Sequence, residues 1–113
     1  MSNPVADIKS LEEELDEECA RELSAAFLED SATSVSGIDA AIAAQDFNEL
    51  KAHAHGLKGC CRTIKAPVAE QLCTDLETAA VNHDWAQVAS LRPQLTVAYE
   101  ELCAFIHSYL GSA

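Results

Sequence analysis

The sequence predicts an all-α fold, an antiparallel up-and-down four-helix bundle with an additional short N-terminal helix. Hydrophobic residues make up 49% of the 113 residues, and alanine and leucine supply much of this share, whereas the chain has only four glycines and three prolines. That composition favours helices over sheets. Apolar residues also recur at helical spacing, and short connections between consecutive amphipathic helices are typical of antiparallel neighbours. We therefore interpret residues 1–113 as a single domain with one core.

The N-terminal part of the chain begins with a short helix, for which Asp7 or Ser10 is placed to act as the cap. Apolar residues then keep helical spacing to about Ala44. This series consists of Leu11, Leu15, Cys19, Leu23, Phe27, Leu28, Val35, Ile38 and Ile42. The segment Ser31–Gly37 is rich in poor helix formers, which leaves room for a kink or a break.

The middle of the chain predicts two more helices. Asp46 is placed to cap the first of them, in which an apolar stripe runs from Phe47 to Ile64. Pro67 lies near the first position of the next helix, where its missing N–H is not needed. We expect this helix to end near Asn82 and to pack Val68, Leu72 and Leu76 into the core.

The last predicted helix begins after Asp84, which is placed to cap it. Trp85 follows as a plug for the core. Pro93 lies inside the helix, so we expect a kink there or a division at residues 91–92.

The five residues from His55 to Gly59 carry the strongest functional signal. In a helix, Lys58 and Gly59 lie three and four positions after His55, so both neighbour its imidazole on one face. Leu57 and Ile64 lie about 180–200° around the helix, so their burial turns His55 outward. Glycine leaves room for another protein's active site, and Lys58 offers a mobile charge to phosphate oxygens. The pattern predicts a phosphoryl site with His55 as the nucleophile.

Charge is distributed unevenly along the chain. The formal net charge is −12, which argues against binding to nucleic acid. Residues 1–30 hold ten acidic side chains, which we interpret mainly as a solvated helix face. Basic side chains gather around His55 instead, because Lys51 and Arg62 share its stripe with Lys58 and Gly59. We expect Lys51 and Arg62 to contact a partner protein.

Several other classes of protein are disfavoured. No apolar run approaches the roughly 20 residues that span a bilayer, and the N-terminus lacks the features of a signal peptide, so we expect a cytoplasmic protein. The five cysteines are irregularly spaced and fit reduced core thiols better than a disulfide framework or a zinc site. Glycine-rich phosphate loops and kinase motifs are absent. The start at Met1 favours a free-standing protein over a domain cut from a longer one.

The stretch from His55 to Glu77 resembles the signature of histidine-containing phosphotransfer (HPt) domains. That signature runs H-x-L-K-G, small residues, an apolar residue, G-A, an apolar position and C-x-x-L-E. The chain matches it in register with His55, Leu57, Lys58, Gly59, Cys60-Cys61, Ile64, Ala66, Leu72, Cys73, Leu76 and Glu77. Two residues depart from it: Lys65 replaces the usual glycine of the turn between helices, and Ala69 replaces the usual leucine. Lysine tolerates positive φ poorly, so we expect the turn to be affected.

The resemblance implies a phosphorelay intermediate without kinase activity. His55 would accept a phosphoryl group from the aspartyl phosphate of one receiver domain and pass it to the aspartate of another. Lys58 would stabilise the phosphoryl group, and Gly59 would give steric access. The implied partners are receiver domains of a hybrid sensor kinase and of a response regulator. The chain itself would hold no cofactor, since Mg²⁺ is expected only on the receiver, and we expect it to be a monomer.

Two functions of other classes stay open at this point. The first is an acidic helical module that docks signalling proteins without being phosphorylated. Docking alone needs no nucleophile, so His55 beside Lys58 and Gly59 argues against it. The second is a thiol-based redox sensor that uses Cys60 and Cys61, and it requires thiols that are accessible and easily ionised.

Overall fold

The computed structural model describes residues 5–111, and these residues form five helices and no strand. Helix α1 spans Ile8–Glu14, α2 Glu17–Ala43, α3 Phe47–Thr63, α4 Pro67–Val81 and α5 Trp85–Gly111. The all-α prediction is thereby confirmed. Within the series α2 to α5, consecutive helices contact each other, and α2 also contacts α5. Helix α1 contacts α2. No helix within residues 5–111 has the length and apolar character needed to cross a membrane.

The helix starts follow the side chains that the sequence offers. Asp7, Asp16, Asp46 and Asp84 each accept a hydrogen bond from the backbone N–H three residues further on, at Ser10, Cys19, Glu49 and Gln87. Such caps satisfy N–H groups that have no partner within the helix. Pro67 opens α4 without a side-chain cap. The predicted caps at Asp46 and Asp84 are confirmed, and Asp7 rather than Ser10 caps α1.

The short N-terminal helix is present as predicted, and neither α2 nor α5 is divided. The N-terminal series breaks before Asp16, which starts a new helix and leaves Leu15 exposed. The segment Ser31–Gly37 lies inside α2 without a break; Ser31 is buried, and its hydroxyl hydrogen-bonds with that of Tyr99 at 2.8 Å. Tertiary packing therefore outweighs local propensity here. Pro93 does not divide α5, because it lies on the exposed side, where water can serve the carbonyl that its ring leaves unbonded.

One hydrophobic core joins the helices, and its largest fully buried side chains are Ile38, Leu50, Leu57, Ile64, Leu76, Leu95, Leu102, Ile106 and Val88. In the first half of α4 the inner face is shifted by one residue from the prediction, whereas Leu76 is fully buried as predicted. Val68 is 51% exposed and Leu72 is only partly buried, whereas Ala69 and Cys73 are buried. The departure from the HPt signature at position 69 therefore places a small side chain at a core position.

Trp85 does not plug the core as predicted. It is only partly buried, and its ring stacks on that of Phe47 with the centroids 4.0 Å apart. The Phe47 ring also stacks on the His83 ring, with the centroids 4.5 Å apart. The stack therefore fastens the start of α3 to the turn between α4 and α5.

All three turns that join α2 to α5 contain a residue with positive φ: Gln45 at 54°, Lys65 at 57° and His83 at 54°. Lys65 thus adopts the conformation for which glycine is favoured. Its turn nevertheless closes, since Lys65 N–H donates to Arg62 O at 3.1 Å and Ala66 N–H donates to Cys61 O at 2.9 Å. The Lys65 side chain also pairs with Glu14 of α1.

Candidate functional site

His55 points out of the fold from the middle of α3. Its side chain is 68% exposed, while Leu57 and Ile64, on the opposite side, are fully buried. This is the orientation that the spacing predicts. An exposed imidazole in a helix interior is held by a rigid backbone yet remains open to a second protein.

A carboxylate on α4 connects His55 with Lys58. Glu77 Oε1 lies 3.3 Å from His55 Nδ1, and Lys58 Nζ donates a hydrogen bond to Glu77 Oε2 at 2.9 Å. The side chains of Lys58 and Glu77 are only 17% and 19% exposed, so this pair is shielded more than an ordinary surface pair. The hydrogen bond and positive charge of Lys58, with a smaller contribution from His55, hold the pKa of Glu77 below its usual value.

The position of Glu77 favours one tautomer of His55. A carboxylate can only accept a hydrogen bond, so a carboxylate 3.3 Å from Nδ1 favours the neutral imidazole that carries its proton on Nδ1 and keeps a lone pair on Nε2. Glu77 belongs to the HPt signature, but the sequence alone indicates no role for it. Its place one residue after the core residue Leu76 puts it next to the buried face of α4, but the sequence does not show that this part of α4 packs beside His55.

Gly59 leaves open space next to the imidazole. A Cβ atom built on Gly59 would meet no heavy atom within 4 Å. A Cβ on Gly56 would be in ordinary contact range of Ser34 Oγ, at 3.4 Å. Both glycines line a cavity of about 490 Å³ between α2 and α3. Packing among residues 5–111 therefore does not require glycine at position 59. Access for a partner protein to His55 would require it.

The basic side chains of the His55 stripe differ in their surroundings. Lys51 is exposed and forms no ion pair with any residue in the range 5–111. Arg62 pairs with Glu70 of α4, with Nε 3.0 Å from Oε2. Lys58 forms an ion pair with Glu77. The structure thus places all three along one side of α3, with only Lys51 uncompensated.

His53 and His55 both belong to α3 but point in different directions. Its ring packs over Gly37 of α2, where a Cβ would come within 2.3 Å of Nδ1. Its Nε2 lies 3.4 Å from Glu49 one turn earlier. His53 therefore lies at the boundary of the core, and the two imidazoles do not share a site.

Cys60 and Cys61 lack the features of a reactive centre. Cys61 and Cys73 are buried, and Cys60 is partly buried. Burial raises the pKa of the Cys60 thiol, and a hydrogen bond with Cys73 together with burial raises that of Cys61 far above its usual value. Thiolates are therefore disfavoured at both positions. Within residues 5–111, histidine, cysteine and carboxylate side chains form no group of three or more that could hold a metal ion.

The comparison with protein families agrees with the geometry. The family model described as the Hpt domain matches residues 22–105, a range that includes His55, Lys58, Gly59 and Glu77. A search of curated proteins and of solved structures found no match to the chain. The matched range extends from the first turns of α2 into the second half of α5.

Proposed function

This chain belongs to the Hpt domain family, whose members are phosphotransfer modules of two-component signalling and interact with receiver domains, and on that premise we propose that His55 is the phosphoryl acceptor. In this proposal His55 takes a phosphoryl group from a receiver aspartyl phosphate and passes it to the aspartate of a second receiver. One observation carries the assignment: an imidazole that is 68% exposed and whose Nδ1 lies 3.3 Å from the Glu77 carboxylate, so that Nε2 is the nitrogen left for a partner.

The transfer needs no proton movement from Nε2. Its lone pair attacks phosphorus, a P–N bond forms, the P–O bond to the receiver's aspartate breaks, and the aspartate leaves as a carboxylate. The proton on Nδ1 stays in place, so the ring gains positive charge during the attack. Glu77, 3.3 Å from Nδ1, is placed to stabilise that charge. In the second transfer the aspartate of the other receiver attacks the phosphorus of phosphohistidine, a P–O bond forms, and the P–N bond breaks, which returns the lone pair to Nε2.

Lys58 serves the phosphoryl group in the same proposal. Lys58 lies one helical turn from His55, and its ammonium group is held close to the site by the ion pair with Glu77. A loose phosphoryl transition state spreads charge over three equatorial oxygens, and an ammonium group with three donors can follow them. The chain holds no cofactor in this scheme, since the Mg²⁺ ion belongs to the receiver. Lys51 and Arg62 contribute to docking.

The proposal also concerns the architecture and the setting. We infer that α2 to α5 form an antiparallel four-helix bundle, because consecutive helices contact each other and turns of a few residues join them. The molecule acts as a monomeric, single-domain, cytoplasmic relay protein and has no kinase activity of its own. Its partners are the receivers of a hybrid sensor kinase and of a response regulator.

Two histidine variants test the assignment. Receiver domains charged with acetyl phosphate are mixed with the wild-type protein, His55→Gln or His53→Gln, and acid-labile phosphate on the chain is measured. His55→Gln should fold normally and remain unlabelled, whereas His53→Gln should keep most of the labelling. Labelled His55→Gln with unlabelled His53→Gln would refute the assignment. Receiver binding without labelling of the wild-type protein would support the docking module instead.

A further inference from the structure

The cavity between α2 and α3 lies directly beside the proposed phosphoryl site. Gly56 and Gly59 line it from α3, and Leu23 and Phe27 line it from α2. Gly59 is one helical turn from His55. A receiver that brings its aspartate to His55 across the open space at Gly59 must therefore also cover this cavity.

One charged side chain, Asp30, lines this otherwise mainly apolar cavity. It is exposed, and within the described range 5–111 it forms no ion pair and accepts no hydrogen bond. It also faces Cys60, whose raised pKa it supports after the larger effect of burial. The opposite flank of His55 is different, because there the carboxylate of Glu77 is compensated by Lys58.

A docked receiver would take Asp30 out of water. An unpaired carboxylate is costly to desolvate, whereas one that meets a lysine or arginine is not. Receivers without such a cation would be rejected by the same side chain that favours receivers with one. Lys51 and Arg62 would act in the opposite sense, by favouring acidic groups on the α4 side of His55.

We propose that Asp30 is a specificity-determining residue, which pairs with a lysine or arginine of the receiver that docks over the α2–α3 cavity. The inference rests on the proposed phosphorelay function. It assigns Asp30 to recognition of the partner, not to the reaction at His55.

The matched control is Glu29, which is adjacent on α2, is exposed and does not line the cavity. Receiver domains that exchange phosphoryl groups with the wild-type protein are tested against Asp30→Lys and Glu29→Lys. Asp30→Lys should lower kcat/KM about tenfold or more, because it sets like charges against each other, while kcat at saturating receiver stays within about twofold. Glu29→Lys should leave both values within about twofold. Reversal of the opposing receiver cation to glutamate should restore kcat/KM for Asp30→Lys.

Equal effects of the two lysine variants, an unchanged kcat/KM for Asp30→Lys, or no receiver cation whose reversal restores it, would each overturn the inference. Labelling by phosphoramidate, a small phosphoryl donor that needs no docking, separates this from a failure of the proposed function. His55 should be labelled equally in the wild-type protein and in Asp30→Lys. If phosphoramidate and receivers both leave wild-type His55 unlabelled, the phosphorelay function itself fails.

Discussion

The Glu77 carboxylate lies 3.3 Å from His55 Nδ1, although the two residues belong to different helices. The contact exists because α3 and α4 pack side by side and Glu77 follows the buried Leu76. The same carboxylate accepts the hydrogen bond of Lys58. His55 and Lys58, which the sequence places on one face of α3, are therefore connected by a third residue from the neighbouring helix.

We expect the charge and the hydrogen-bonding capacity of Glu77 to contribute separately to transfer. Glu77→Gln keeps an oxygen acceptor for Nδ1–H but loses the negative charge that stabilises the ring, and Glu77→Ala loses both. The transfer rate at saturating receiver should therefore fall in the order wild type, Glu77→Gln, Glu77→Ala. A rate for Glu77→Ala equal to that of the wild type would remove Glu77 from the mechanism.

The stability of the protein should depend on pH through Glu77. Its pKa is lowered in the folded state, so the folded state favours the ionised carboxylate more than the unfolded chain does. This contribution is complete above the ordinary glutamate pKa of about 4.3 and is lost as pH falls through the lowered folded value. Urea unfolding should show Glu77→Gln less stable than wild type by up to about 1 kcal/mol at pH 7. The difference should shrink as the pH falls below about 4; a constant difference would contradict this.

Lys58 and Lys51 should affect different kinetic parameters. Lys58→Ala removes the ammonium beside the phosphoryl group, so we expect transfer at saturating receiver to slow by about 10- to 100-fold in both directions. Lys51→Ala removes an exposed docking charge, so it should raise the receiver concentration needed and leave the saturated rate unchanged. Rapid-quench measurements over a range of receiver concentrations distinguish the two. Equal saturated rates for Lys58→Ala and wild type would exclude Lys58 from the chemistry.

Substitutions at Gly59 should change the stability of the fold and the rate of transfer independently. A Cβ atom at this position meets no atom of residues 5–111 within 4 Å, and alanine replaces a helix-interior glycine, so Gly59→Ala should stabilise the fold by about 0.5–1 kcal/mol. Gly59→Leu should fold as well but transfer far more slowly, because its branched side chain holds the receiver's aspartate away. Thermal unfolding and transfer rates on both variants provide the test. Wild-type transfer by Gly59→Leu would mean that the receiver approaches from another side.

Gly37 should respond to alanine in a way that depends on His53. A Cβ at Gly37 would lie 2.3–2.5 Å from three atoms of the His53 ring, so the ring must turn away. We expect Gly37→Ala to cost about 1 kcal/mol net, as overpacking exceeds the gain in helix propensity. In the His53→Ala background the same change should stabilise by about 0.5–1 kcal/mol. A double-mutant cycle by urea unfolding measures both, and equal effects in the two backgrounds would show that the ring does not constrain Gly37.

The sequence predicts this molecule best where one local signal acts alone. The caps at Asp46 and Asp84 and the outward direction of His55 follow from residues within one or two turns. Prediction fails where distant packing decides: the core accepts Ala69 and leaves Val68 exposed, and the Ser31–Tyr99 hydrogen bond helps to hold α2 together.

At the site, the Lys58–Glu77 pair could not be predicted from the sequence for the same reason. Spacing along α3 brings Lys58 next to His55, but only the packing of α4 on α3 shows that a carboxylate lies between them. Likewise, Asp30 becomes notable only when α2 is seen to share a cavity with Gly59. Neither relationship has a signature in local periodicity.

Helix α3 carries a buried set and an exposed set of residues, with Lys58 partly buried between them. Leu50, Ala54, Leu57 and Cys61 are buried, whereas Lys51, His55, Gly59 and Arg62 are exposed. Mutations of exposed residues usually change stability by less than about 0.5 kcal/mol. After a gene duplication, two copies of this chain can therefore diverge in the receivers they serve by successive surface mutations, without any intermediate that fails to fold.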